Sequence, residues 1–248
     1  MSGHSKWSTI KHKKAKTDQQ RGKVFSKLVR EIMIAAKSGD PDPDNNARLR
    51  LAVQKAKEAN MPNDNIKRAI QKVAAGGEGA DLEEITYEAY ALYGVALLIE
   101  VVTDNKNRTL PNIKNILAKA GGSLATKGAV SYLFEKKGLI VFESGAPEDL
   151  IMEIATEAGA EDIDINEDGS IEVKTESADF EQIKKVFDEK DLKYAEASLE
   201  MIAQNEMSLD AEKARKIFNL IEKLEDDDDV QEVFGNYDVS AEVMKELA

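Results

Sequence analysis

Hydrophobic positions recur at helical spacing in the first third of the chain and then switch to an extended pattern. Val24, Phe25, Leu28, Val29, Ile32 and Ala36 share one face of a predicted helix over residues 22–37, which Gly39 and Pro41 terminate. A second predicted helix spans 46–59, with Leu49, Val53 and Ala56 inward and Asn60 as a left-handed cap. A third spans 64–75, with Asn63 as N-cap and Ile66, Ile70 and Val73 inward. Gly76, Gly77 and Gly79 then read as a linker. Beyond it, 84–90 and 95–103 read as strands, 110–120 as a helix capped by Thr109, and 130–134 as a further strand. Residues 138–203 follow the order strand (139–143), helix (148–157), strand (162–165), strand (171–174), helix (178–190), strand (196–202), which is the split βαβ, ferredoxin-like order. A helix (210–224), a strand (231–238) and a terminal helix (241–247) close the chain.

One helix and one strand rarely stand alone, so the last segment is expected to return to the sheet formed before the ferredoxin-like unit. The expected fold class is therefore α+β. An N-terminal three-helix domain precedes two mixed α/β domains, and one of these, a ferredoxin-like unit, is inserted in a discontinuous middle domain. The expected boundaries are 1–78 for the helical domain with its arm, 79–136 plus 205–248 for the middle domain, and 137–204 for the insert. Three capped amphipathic helices before a glycine linker also lead us to expect that residues 1–78 fold alone.

Charge changes the picture more than composition does. The net charge is −13 over 248 residues, which alone argues against nucleic acid. Its distribution argues the reverse. Residues 1–75 carry 17 Lys/Arg against 7 Asp/Glu, a net of +10, and the other 173 carry 17 against 40, a net of −23. A basic module on an acidic body fits phosphate binding by the module, with the body limiting non-specific adhesion. There is no cysteine, so disulfides, thiolate metal sites and cysteine nucleophiles are excluded. The N-terminus lacks an apolar signal region and no apolar run approaches the ~20 residues of a membrane span, so the expected location is cytoplasmic.

Candidate chemistry concentrates at the N-terminus. His4, Lys6, Trp7, Lys11, His12, Lys13, Lys14, Lys16, Arg21, Lys23, Lys27 and Arg30 form a cationic arm and helix face around the single tryptophan. Clustered cations gain from counterion release on phosphate, and Trp7 is placed either to stack on a base or to anchor the arm. His4 and His12 lack the cysteine or carboxylate partners of a metal site or catalytic base, so no metal, cofactor or catalytic residue is expected. Thr103–Thr109, between a strand and a helix start, brings Lys106 and Arg108 to a place where backbone N–H groups favour anions; the alternative is an ordinary capped loop. Residues 60–65 read as a helix–helix joint. The run Glu225–Asp229 fits no EF-hand spacing and reads as a solvated turn. No phosphate-cradling glycine loop, nucleophile elbow or HExxH motif is present.

Gly3-His-Ser-Lys-Trp7, Ile10-Lys-His-Lys-Lys14, Arg21-Gly-Lys23 with Phe25 and Lys27, Asn60-Met-Pro-Asn63, Thr103-Asp-Asn-Lys-Asn-Arg-Thr109 and Ser131-Tyr-Leu-Phe134 together resemble the YebC family, nearly end to end. The resemblance implies a three-domain α+β fold and a bacterial cytoplasmic or organellar protein. It implies a non-catalytic regulator, described for some members as a probable transcriptional regulator that binds DNA. Other members are described as ribosome-contacting translation factors that ease decoding of proline-rich messages. The expected partners are thus nucleic acid, DNA or RNA, and the ribosome, with no membrane and no small-molecule substrate. The opposing reading is a protein-interaction scaffold without direct nucleic-acid binding. One segment departs from the family: Tyr87-Glu-Ala-Tyr-Ala-Leu-Tyr-Gly94 stands where a glycine-rich turn is expected, so the turn geometry must differ.

Overall fold

A computed structural model describes residues 18–74 and 81–247. Helices α1 (Asp18–Ser38), α2 (Ala47–Glu58) and α3 (Asn63–Ala74) form the N-terminal unit. Asn46 organises its first connection. The side-chain oxygen accepts from the Leu49 N–H at 3.0 Å, starting α2, while its amide donates to the carbonyls of Ala35 and Asp40 at 2.9 and 2.8 Å. Asn60 closes α2 at φ 61°, in the left-handed region expected for it. Ile32, Leu49, Ala52, Ala56, Ile66 and Ala69 fill the core, and Leu82 and Val102 enter it from beyond the helices. The helical core is therefore completed by the rest of the chain. The glycine linker at 76–79 lies outside the described residues.

The remaining elements follow in the order β1 (Glu83–Tyr90), β2 (Ala96–Thr103), α4 (Lys106–Lys119), β3 (Ser123–Leu124), β4 (Phe134–Phe142), α5 (Glu148–Ala158), β5 (Asp162–Ile165), β6 (Ile171–Glu176), α6 (Phe180–Glu189), β7 (Glu196–Ala203), β8 (Met207–Ser208), α7 (Ala211–Glu225), β9 (Val230–Gly235), β10 (Tyr237–Asp238) and α8 (Ala241–Leu247). One sheet has the order β3-β1-β2-β9, antiparallel throughout, so β9 returns past the intervening unit to pair with β2. The second has the order β5-β6-β4-β7, the ferredoxin-like arrangement, with α5 and α6 packed on Ile140, Phe142, Ile171 and Val173. The chain is thus an α+β protein with a three-helix unit and two mixed units.

Strand β2 explains how the units meet. Successive side chains of a strand point to opposite faces. Leu97, Ile99 and Val101 pack with Ile113 and Leu117 of α4 and with Ile217 and Ile221 of α7. On the other face, Ala96 and Leu98 meet Phe134, Phe234 and Met201 beside the ferredoxin-like unit, while Val102 enters the helical core. Both faces are covered, which is why the strand is apolar almost throughout. Glu100 is the one charged residue in it.

Three local expectations are corrected. Helix α4 begins at Lys106 rather than Leu110, because Asn105, not Thr109, caps it by accepting from the Arg108 N–H at 3.2 Å. Of the expected strand 130–134 only Phe134 is extended, as the first residue of β4, and residues 130–133 are not a strand. They hold a 3-10 turn over Ser131–Leu133, since the carboxylate of Glu88 takes the N–H groups of Gly128, Val130 and Ser131 at 2.6, 2.6 and 3.0 Å and leaves no ladder to join. The last strand breaks at Asn236, after which β10 pairs parallel with β8. In the 87–94 turn the positive φ angles fall on Tyr93 (66°) and Gly94 (82°), while Ala89 and Ala91 are buried.

Candidate nucleic-acid interface

Lys23, Lys27 and Arg30 lie at i, i+4 and i+7 of α1 and so share a face. That face turns inward. Lys23 Nζ reaches Asp226 Oδ1 at 2.7 Å, Lys27 Nζ donates to the Gln231 carbonyl at 3.4 Å, and Arg30 pairs with Asp229 while donating to the Val102 carbonyl at 3.0 Å. Lys106 pairs with Glu83 at 2.7 Å, and Arg108 with Asp104 at 2.9 Å and Asp229 at 2.7 Å. Five of the cations singled out for phosphate contact thus bind the protein itself. His4, Lys6, Trp7, Lys11, His12, Lys13, Lys14 and Lys16 lie outside the described residues, as does the side chain of Arg21.

Asp229 is the centre of this arrangement, and its place corrects the reading of 225–229 as a solvated turn. Asp226 and Asp228 are exposed, but Asp229 is only 2% accessible. Its carboxylate accepts from Thr109 Oγ1 at 2.6 Å, Thr103 Oγ1 at 3.2 Å, Arg108 Nη2 at 2.7 Å and from Arg30, and its carbonyl accepts the Val102 N–H at 2.9 Å. Burial disfavours the charge, yet the hydrogen bonds from Thr109, Arg30 and Arg108 prevail and hold the carboxyl at about 2. The Thr103–Thr109 segment does gather anion donors. The anion it holds is the chain's own, and the result is a clamp joining α1, β2, α4 and the start of β9. Sequence reasoning missed Asp229; the signal was the match between a basic i, i+4, i+7 stripe and an acidic run, each read as facing solvent.

Two further pairs tie the helical unit down. Arg48 makes a two-pronged pair with Glu84 at 2.5 and 3.0 Å, and Arg50 reaches Glu181 of α6 at 3.0 Å. On α3, Lys67, Arg68 and Lys72 are exposed, with Gln71 between them, as are Lys37 of α1 and Lys57 of α2. No group of three His, Cys, Asp or Glu among the described residues could hold a metal ion, and no described helix is long and apolar enough to cross a membrane.

Glu100 lies where the three units converge. It is directly across from Glu232 on β9. Burial first, then Glu232, pushes its carboxyl up to about 7; Glu84 adds to this and Lys136 and Arg48 oppose it. Because the folded state takes up this proton more readily than the unfolded chain, stability falls as pH rises from about 4.5 to about 7. Glu100→Gln is expected to remove that fall and to exceed the parent by about 2 kcal/mol at pH 8, with the two converging below pH 4.5. Unfolding midpoints between pH 4 and 8 check this; parallel curves would contradict it.

Comparison with known proteins gives consistent matches over the whole architecture. A family model described as TACO1/YebC protein N-terminal domain matches residues 5–76, and one described as TACO1/YebC second and third domain matches residues 82–237. A relative from Syntrophus aciditrophicus, named probable transcriptional regulatory protein, is 51% identical over 250 residues and covers all of both chains. One from Borreliella afzelii with the same name is 54% identical over 244 residues, covering 98% of this chain and 100% of the relative. The crystal structure of a conserved hypothetical protein from Aquifex aeolicus superposes with a TM-score of 0.83 at 42% identity, over 93% of this chain and 95% of that one.

Proposed function

Since the chain belongs to the TACO1/YebC family, we propose that it is a non-catalytic, cytoplasmic regulator of gene expression that binds nucleic acid through its basic N-terminal unit. Its principal target is RNA at the ribosome, where it eases decoding of difficult, proline-rich messages. The observation that carries this reading is the charge split, +10 in residues 1–75 against −23 in the rest. With Lys23, Lys27 and Arg30 paired inward, the phosphate-facing charge falls to Lys6–Lys16 and to the exposed Lys57, Lys67 and Arg68.

Three features favour RNA over duplex DNA. Trp7 sits among cations and suits stacking on unpaired bases. The exposed set on α3 is suited to phosphates; it lacks the run of Asn, Gln and Arg by which a recognition helix reads base edges. The acidic body repels a long duplex lying across the molecule but leaves a basic arm able to enter a ribosomal pocket. The name borne by the relatives favours the second reading, a DNA-binding transcriptional regulator.

The full chain is expected to co-sediment with ribosomes at moderate salt, and a chain lacking residues 2–20 is expected to stay in the supernatant. Association that survives the deletion would remove the arm from the account. A nanomolar, sequence-specific duplex site with no ribosome association would establish the second reading instead.

A further inference from the structure

The end of the β3-β1-β2-β9 sheet opposite the helical unit carries an unusual surface. Val102 and Thr103, at one end of β2, meet the helical unit and Asp229; Ala96, at the other end, lies about 24 Å along the strand. At that far end three of the chain's six tyrosines are exposed: Tyr90 at 39%, Tyr93 at 40% and Tyr132 at 68%. Two exposed lysines stand with them. Lys119 ends α4, where the chain turns through Gly121 and Gly122 against Leu92 and the Tyr90 carbonyl, and Lys127 is in the loop after β3. Neither has a carboxylate partner among the described residues.

The surface is held in shape. Glu88, buried beneath the loop, accepts from the N–H groups of Gly128, Val130 and Ser131, and the Tyr90 hydroxyl donates to the Ala129 carbonyl at 3.1 Å. Glu88 is thus consumed inside, and the loop presenting Lys127 and Tyr132 is pinned at four points. Tyr93 has φ 66°, a backbone conformation disfavoured for a bulky side chain and often found where a side chain must be aimed. Its ring lies 5.8 and 5.9 Å from the ammonium groups of Lys213 and Lys216, which Asp210 and Glu212 hold at 3.0 and 2.8 Å.

We propose that this end of the middle sheet is a second contact surface for unpaired RNA, with Tyr132, Tyr90 and Tyr93 as stacking platforms and Lys119 and Lys127 as phosphate contacts. Aromatic faces with adjacent cations are the means by which proteins hold single strands, because every base offers a π-face once it is unpaired. A duplex keeps those faces stacked within itself. The surface extends the RNA reading of the basic arm but is physically separate from the arm-bearing helical unit, so the two can be tested apart.

The probe is a 12-nucleotide single-stranded RNA carrying 2-aminopurine, titrated with the full chain, with Tyr132→Ala, with Tyr132→Phe and with Lys119→Glu/Lys127→Glu. Stacking is expected to quench the fluorophore in the parent and in Tyr132→Phe. Tyr132→Ala is expected to lose most of the quenching and about five-fold or more in affinity. The lysine pair is expected to lose affinity in a salt-dependent way. The same titration with Lys11, Lys13, Lys14 and Lys16 all changed to Glu isolates this surface: quenching that persists there at low salt supports a second site even if the arm reading fails. An RNA that the parent does not bind, or quenching and affinity unchanged in Tyr132→Ala and in the lysine pair, overturns the proposal. So does loss in these variants of binding to a protein partner alone.

Discussion

Asp229→Ala is expected to be the most damaging single substitution outside the hydrophobic cores, lowering stability by about 2–3 kcal/mol. The carboxyl is held at about 2 against an ordinary 3.8, which by itself amounts to about 2 kcal/mol at neutral pH. The variant also strips Arg30 of its ion pair and leaves Arg108 with Asp104 alone. The loss should be selective. Arg30 is the helical unit's link to Asp229, so the helical unit is expected to melt earlier, as a separate calorimetric transition, and α1 to exchange amide hydrogens faster. The sign with pH follows from the depressed value. The contribution is complete above about pH 4 and disappears as pH falls toward 2, so parent and variant should converge in acid. Asp229→Asn, which keeps the shape and some acceptor capacity, should fall between them. A single unchanged transition in Asp229→Ala would mean that the clamp does not join the units.

This clamp bears on function as well as stability. The cations of α1 that resemble a phosphate-binding stripe are engaged at Asp226, Gln231 and Asp229. They orient the helical unit on the acidic body, and so fix where the chain that precedes α1 leaves it. Arg48 and Arg50 do the same through Glu84 and Glu181. A rigid platform lowers the ordering cost of an interaction made by the segment it carries.

Elements governed by local chemistry were legible in the sequence. Asn60 was readable as a left-handed cap because few other residues accept φ near 60°. The split βαβ order was readable because each of its strands and helices has its own period and its own turn. What escaped depended on partners far along the chain. Thr109 looked like a cap because its hydroxyl oxygen can accept a first-turn N–H; instead the hydroxyl lies within donating distance of the Asn105 carbonyl and of the Asp229 carboxylate, 120 residues away, while Asn105 does the capping. Val130–Phe134 had strand-forming side chains, but a glutamate from β1 claimed the N–H groups of Val130 and Ser131, so the strand starts only at Phe134. Arg30 and Arg108 carried the charge of phosphate ligands, and only the fold reveals that Asp229 had already taken them. The signal for the basic arm was of a different kind. It rests on charge per segment, which needs no knowledge of contacts.

That arm gives the most direct test of the central claim. Replacing Lys11, Lys13, Lys14 and Lys16 together with Glu is expected to weaken binding to ribosomes or single-stranded RNA by more than ten-fold at physiological salt. It should also flatten the salt dependence, because each lost phosphate contact removes roughly 0.7 from the slope of log affinity against log salt for single strands, or about 3 for four contacts. The variant is expected to melt like the parent, which a thermal scan of the two proteins checks. The decisive measurement is therefore a salt titration of RNA affinity for the two proteins side by side. A steep line is expected for the parent and a weaker, shallower line for the variant. Two coincident lines, equal in affinity and in slope, would contradict it.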